Sequence, residues 1–133
     1  MAKTDKYIIT EPTASAKEKG SRALTLDDTI IKGSFWVHFG WFMKPPARDT
    51  DALTTHSHDF DEVIGFAGSN KNNPRDLGGE IEFWMGGEKH VLTKTCLIFI
   101  PKGVTHCPVV LKRIDTPIFM FEAGNNTVYE KIK

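Results

Sequence analysis

Four side chains in this 133-residue sequence are of the types that hold a transition-metal ion and are spaced to reach a single one: His56, His58, Glu62 and His106. Three fall in Thr55-His56-Ser57-His58-Asp59-Phe60-Asp61-Glu62, and the fourth ends Ile100-Pro101-Lys102-Gly103-Val104-Thr105-His106, more than forty residues later. On an extended strand, residues two apart project to one face, so the imidazoles of His56 and His58 converge and Glu62 keeps their parity. Asp59 and Asp61 lean to the opposite face, as turn formers, solvated charges or hydrogen-bond partners of the ligands. A bare His-x-His pair is common on solvated strands; the added Glu62 and His106 make a shared ion the better explanation. Imidazole nitrogens with one carboxylate oxygen suit one divalent Fe, Mn, Ni, Co, Cu or Zn ion rather than Ca or Mg.

The elements that must carry these residues read as strands. Ile30 to Met43 is rich in aromatic and β-branched residues and is stopped by Lys44-Pro45-Pro46. On a period of two, Phe35, Val37, Phe39, Trp41 and Met43 make an apolar face read as core, while Trp36 and His38 share a mixed face able to line a cavity. Residues 45–54 form a polar loop that delivers the chain to the histidine pair. Glu80 to Thr93 is the clearest hairpin, with Gly86-Gly87 as its turn, Phe83 opposite His90 and Ile81 opposite Leu92. Phe83 and His90 then lie on a buried or cavity-facing side. Cys96 to Ile100 reads as a short buried strand, and Pro101-Lys102-Gly103 as the turn that returns His106. Cys107, next to that histidine, is a conceivable thiolate ligand, but by alternation it points to the other face and is left as a structural thiol. Val109–Leu111 and Thr116–Glu122 close the set of strands, and Asn70 to Asp76 is a surface loop in which Arg75 is available to meet a carboxylate.

The chain divides into an N-terminal arm (1–29), an all-β domain (30–124) and a polar tail (125–133). The arm contains one strand-like run, Tyr7 to Thr10, and a stretch from Ala14 to Leu26 read as a short helical turn or a loose arm. Seventeen Lys and Arg balance seventeen Asp and Glu, so no net charge recruits nucleic acid or an anionic membrane. No apolar run is long enough for a transmembrane helix, and the polar first twenty residues lack an apolar signal core. With only two cysteines, Cys96 and Cys107, the expectation is a cytoplasmic protein.

The spacing His56-x-His58-x-x-x-Glu62, followed by Pro101-x-Gly103-x-x-His106, resembles the paired motifs of the cupin superfamily over roughly residues 34–122. The resemblance implies a double-stranded β-helix, a jelly-roll-like barrel of two antiparallel sheets, with His56, His58, Glu62 and His106 as ligands of one divalent metal. It also implies a homodimer. The sequence departs from the pattern at residues 69–77, an apparent insertion that makes Gly79 the counterpart of the usual glycine. It departs again at Thr95 and Val110, which replace a glycine and an asparagine. No ligand is lost.

Such a site supports oxygenase, decarboxylase or isomerase chemistry on a small organic substrate, a carboxylate or an aromatic. Trp36, Phe83 and Phe119 are the candidate pocket walls. His38 and His90 are the acid–base candidates, with Glu82 behind them. The alternative is a non-catalytic binder or sensor of small molecules with a structural metal, which needs no acid–base group.

Overall fold

The computed structural model describes residues 3–11, 22–43 and 55–126. Eight strands run antiparallel: β1 (Arg22–Leu26), β2 (Val37–Phe42), β3 (Glu62–Gly68), β4 (Asp76–Met85), β5 (Glu88–Lys94), β6 (Cys96–Ile100), β7 (His106–Ile114) and β8 (Ile118–Gly124). Five make one sheet, ordered β1-β2-β8-β3-β6, and three make the other, ordered β5-β4-β7. Among the described residues no helix is long and apolar enough to cross a membrane.

The hairpin forms as its residues dictate. Gly86 and Gly87 take φ of 59° and 81°, the positive values a tight turn needs, and Phe83 pairs with His90 and Ile81 with Leu92. The core lies between the sheets. Ile64 and Phe66 from β3, Ile81 and Phe83 from β4, and Ile118 and Met120 from β8 are all buried there. Burying large aliphatic and aromatic side chains of this kind contributes about 1.5–3 kcal/mol each.

Several elements depart from the sequence reading. A 3-10 turn, Asp5–Tyr7, stands where a strand began at Tyr7. Residues 22–26, read as helix or loose arm, are strand β1, paired with β2 because Leu24 and Leu26 lie opposite Phe39 and Val37. Residues 12–21, the loop 45–54 and the tail beyond 126 lie outside the described residues. The run from Ile30 begins with turns around Asp27, whose carbonyl accepts from the amides of Ile30 and Ile31 (3.1 and 3.0 Å), so β2 starts only at Val37.

The faces of β2 are also reversed. Trp36, His38 and Phe42 are buried, whereas Phe35, Trp41 and Met43 are exposed. Alternation separates two faces without saying which is inner; the pairing of His38 with Glu122 and Gly40 with Met120 decides it, because Met120 belongs to the core. β6 is likewise only half buried. Leu97 (72% exposed) and Phe99 (58%) lie opposite Gly65 and Val63 on the outward parity of β3, while Ile98 and Ile100 pair with the inward Ile64 and Glu62. The outer face of the larger sheet therefore carries Phe39, Trp41, Phe119 and Phe121, joined in ring contacts of 5.0–6.2 Å, and continues through Val63 to Phe99 and Leu97.

Candidate metal centre

His58, Glu62 and His106 meet at one end of the space between the sheets. All three are buried, and their ligand atoms lie within 4.8 Å of one another. Glu62 stands at the start of β3, with its parity toward the interior set by Ile64 and Phe66 beyond it. His106 opens β7, delivered by the Pro101–Gly103 turn, where Gly103 at φ 83° donates its amide to the carbonyl of His58 at 2.9 Å. The His56 segment is fixed to the same strand, since His56 and His106 exchange two main-chain hydrogen bonds of 3.0 and 2.9 Å. The rings follow: His56 to His106 is 4.4 Å between centroids and His58 to His106 is 5.0 Å.

Glu62 Oε1 is 3.1 Å from His58 Nε2 and 3.2 Å from His106 Nε2. Those distances would pass for ion pairs, yet neither Glu62 Oε1 nor His106 Nε2 makes an aligned hydrogen bond among the described residues. An oxygen and two ring nitrogens that converge without aligned hydrogen bonds between them are placed to share a cation. Neighbouring ligand atoms at right angles around an ion with bonds of about 2.1 Å sit about 3.0 Å apart, close to what is observed. The donor set also agrees: His106 Nδ1 lies 3.1 Å from the Val104 carbonyl, a contact that suits Nδ1–H as donor and leaves the Nε2 lone pair for the ion.

Electrostatics bind the cluster. Burial alone would raise the Glu62 carboxyl, but His106 and His58 hold it below the usual carboxylate range. Burial alone would lower His106, yet Glu62, the Val104 carbonyl and the charge of Glu122 hold it above the usual imidazole value.

Asp61 positions the ligands from outside. Its Oδ1 accepts from the Lys102 amide at 2.9 Å, and its main chain and carboxylate are tied to Asn125 at the end of β8. The turn that carries His106 and the start of the strand that carries Glu62 are thereby strapped together. Asp59 is exposed and lies 3.5 Å from Lys102 Nζ.

The remaining predicted residues divide. His38 is buried on the inner face, its Nε2 at 2.7 Å from Glu122 Oε2 without the alignment of a hydrogen bond. A chain of rings connects it to the ligands: His38 to Trp36 at 5.4 Å, Trp36 to Phe60 at 5.7 Å, and Phe60 stacked on His58 at 4.8 Å. Phe83 is fully buried within the core. Phe119 is not a wall of the interior. Its odd parity on β8 puts it on the outer face, against Phe39 and Trp41. His90 is exposed on edge strand β5 and is not among the residues of the cluster.

One residue was missed and another was set aside on parity. Glu122 shares parity with Ile118 and Met120, and an ionisable residue at an inward strand position was the signal for it. Cys107 is buried and lies within 4.8 Å of ligand atoms of His56 and His106. Alternation fails there because Cys107 has φ of 77°, which turns its side chain toward the same side as His106.

No protein-family model matches the sequence, and no curated protein matches it. Solved structures do. An oxalate oxidase in complex with the substrate analogue glycolate superposes with a TM-score of 0.61 at 14% identity, over 98% of this chain and 65% of that one. A recombinant oxalate oxidase with glycolate gives 0.60 at 13% identity, over 96% and 63%. An RmlC-like cupin from Shewanella frigidimarina NCIMB 400 gives 0.43 at 21% identity, over 71% and 67%. This chain thus spans less than two thirds of the oxalate oxidases it resembles. With two antiparallel sheets in this order, the chain has a cupin-type fold, shared with those oxalate oxidases.

Proposed function

We propose that this protein is a metal-dependent enzyme that holds one divalent transition-metal ion on His58, Glu62 and His106, with His56 beside them, and acts on a small carboxylate or aromatic substrate. The observation that carries the reading is the buried oxygen of Glu62 at 3.1 and 3.2 Å from two imidazole nitrogens. A bound ion at this site supplies a Lewis acid that polarises a carboxylate or carbonyl oxygen. The chain supplies the rest. Trp36 and Phe60 give the approach to His58 an apolar wall. His38, 2.7 Å from Glu122, is the buried group placed to exchange a proton near the substrate. The oxalate oxidases of the same fold bind glycolate as a substrate analogue, which supports a small carboxylate as the first class to try. A reducing compartment, the cytoplasm, agrees with two cysteines outside any disulfide.

The working unit is a homodimer built on the outer face of the larger sheet. Phe35, Trp41, Met43, Leu97 and Phe99 are 43–72% exposed there, and together leave on the order of 600 Å² of apolar surface. With the half-buried positions between them, the face approaches the roughly 800 Å² per partner of a stable pairing. Gel filtration is expected to show twice the 14.9 kDa chain mass, and a Leu97→Lys/Phe99→Lys variant to elute as a folded monomer. A wild type that stays monomeric at high micromolar concentration removes the dimer.

The metal reading is tested by elemental analysis after loading with Mn, Fe, Co, Ni, Cu or Zn, where about one ion per chain is expected. A folded protein that retains none of them sinks it. A screen of oxalate, glycolate and simple aromatic acids then separates turnover from binding alone, the second outcome favouring a sensor.

A further inference from the structure

We propose that Cys107 is itself a metal ligand, forming with His56 and His106 a sulfur-containing triad that takes a thiophilic divalent ion such as Zn²⁺ or Co²⁺. The inference rests on reading His106 as a ligand and adds to it a donor of different chemistry. Three observations support it. The Sγ of Cys107 and ligand nitrogens of His56 and His106 lie within 4.8 Å of one another, and all three residues are buried. A tetrahedral ion with Zn–S of about 2.3 Å and Zn–N of about 2.0–2.1 Å needs S···N separations of about 3.6 Å, within reach of small side-chain rotations. The main chain holds the triad in place: His56 and His106 exchange two hydrogen bonds, and the Thr55 hydroxyl donates to the Cys107 carbonyl at 3.1 Å.

The third observation is the backbone of Cys107. A positive φ of 77° is uncommon for a residue with a side chain, and here it abolishes the alternation that would send the thiol away from His106. His106 has Nδ1 against the Val104 carbonyl, so only Nε2 is left to bind, and Nε2 makes no aligned hydrogen bond among the described residues. One lone pair serves one ion. The two triads are therefore alternative settings around His106, a carboxylate setting through Glu62 and a thiolate setting through Cys107. As the Sγ–metal bond forms, the thiol proton leaves to solvent. Softness then sorts the ions: Zn²⁺ and Co²⁺ engage the sulfur, while Mn²⁺ stays with the carboxylate.

The experiment is the absorption spectrum of the full chain loaded with Co²⁺. A near-ultraviolet sulfur-to-cobalt charge-transfer band is expected in the wild type and in Cys96→Ser. It is expected to vanish in Cys107→Ser while about one Co²⁺ per chain remains bound. Competition between Zn²⁺ and Mn²⁺ should move at least tenfold toward Mn²⁺ in the same variant. Should Cys107→Ser not fold, iodoacetamide labelling of the wild type decides, with Zn²⁺ expected to protect Cys107 selectively over Cys96. Bound Co²⁺ without the band, or a band that survives in Cys107→Ser, overturns the thiolate inference and leaves the His–Glu site standing. A chain that binds no Co²⁺ at all overturns both.

Discussion

Glu62→Gln weakens metal binding by about 100-fold or more, beyond the 10–100-fold typical of losing a residue that only orients a ligand. The substitution keeps the side chain's shape and removes its charge and one lone-pair donor from a place where Oε1 meets two imidazoles. A chelator competition series measures it, and near wild-type affinity would remove Glu62 from the ligand set. The pH dependence follows from the same geometry. His106 is held above the usual imidazole value, so protons compete with the ion as pH falls through that raised value, and affinity drops on the acid side. The metal-free protein behaves differently. The contribution of His106 to stability is fully present below the ordinary imidazole value and is lost as pH rises through its raised one. That of Glu62, whose folded value is lowered, is present above the ordinary carboxylate value and lost as pH falls through the lowered one. The pair therefore stabilises the metal-free chain most between the two, and Glu62→Gln flattens that interval in a thermal-melt series.

Phe83→Ala is expected to cost about 3–5 kcal/mol, the range for emptying a buried aromatic site. Phe83 is 1% exposed and packs between the sheets with Ile81 and Ile118. Against a total of about 5–15 kcal/mol for a domain, that loss leaves a marginal fold. Its cross-strand partner provides the control. His90 pairs with Phe83 but is exposed, so His90→Ala should stay within about 0.5 kcal/mol. Urea unfolding distinguishes them: the Phe83→Ala midpoint falls at unchanged slope. Equal midpoints for the two variants would contradict the placement of the core.

The contrast between these residues also shows what the sequence made legible. That His58 and Glu62 face one buried cluster was readable because both the spacing and the residue types are local. The hairpin was readable because Gly86-Gly87 admits few turns, and those turns fix the register. Which face of β2 is inner was not readable, since Phe39 and Trp41 are as apolar as any core residue and only pairing with β8 places His38 inside. The same long-range pairing hides Glu122 and turns Phe119 outward. Cys107 was set aside on alternation because a single positive φ, invisible in the sequence, breaks the rule on which parity depends.

Asp61, Glu62 and Val63 are consecutive and belong to three surroundings. Asp61 holds the turn and Asn125, Glu62 enters the cluster, and Val63 joins the outer wall that includes a groove of about 430 Å³ beside Phe35 and Phe99. A single-residue insertion or deletion here would transpose all three at once, sending the carboxylate to the outside. The chain's tolerance for added length is concentrated elsewhere. Residues 69–75 are exposed throughout and join β3 to β4. Tags, labels or whole grafted domains belong in that loop, and drift in length among descendants of this sequence should collect there rather than at 59–63.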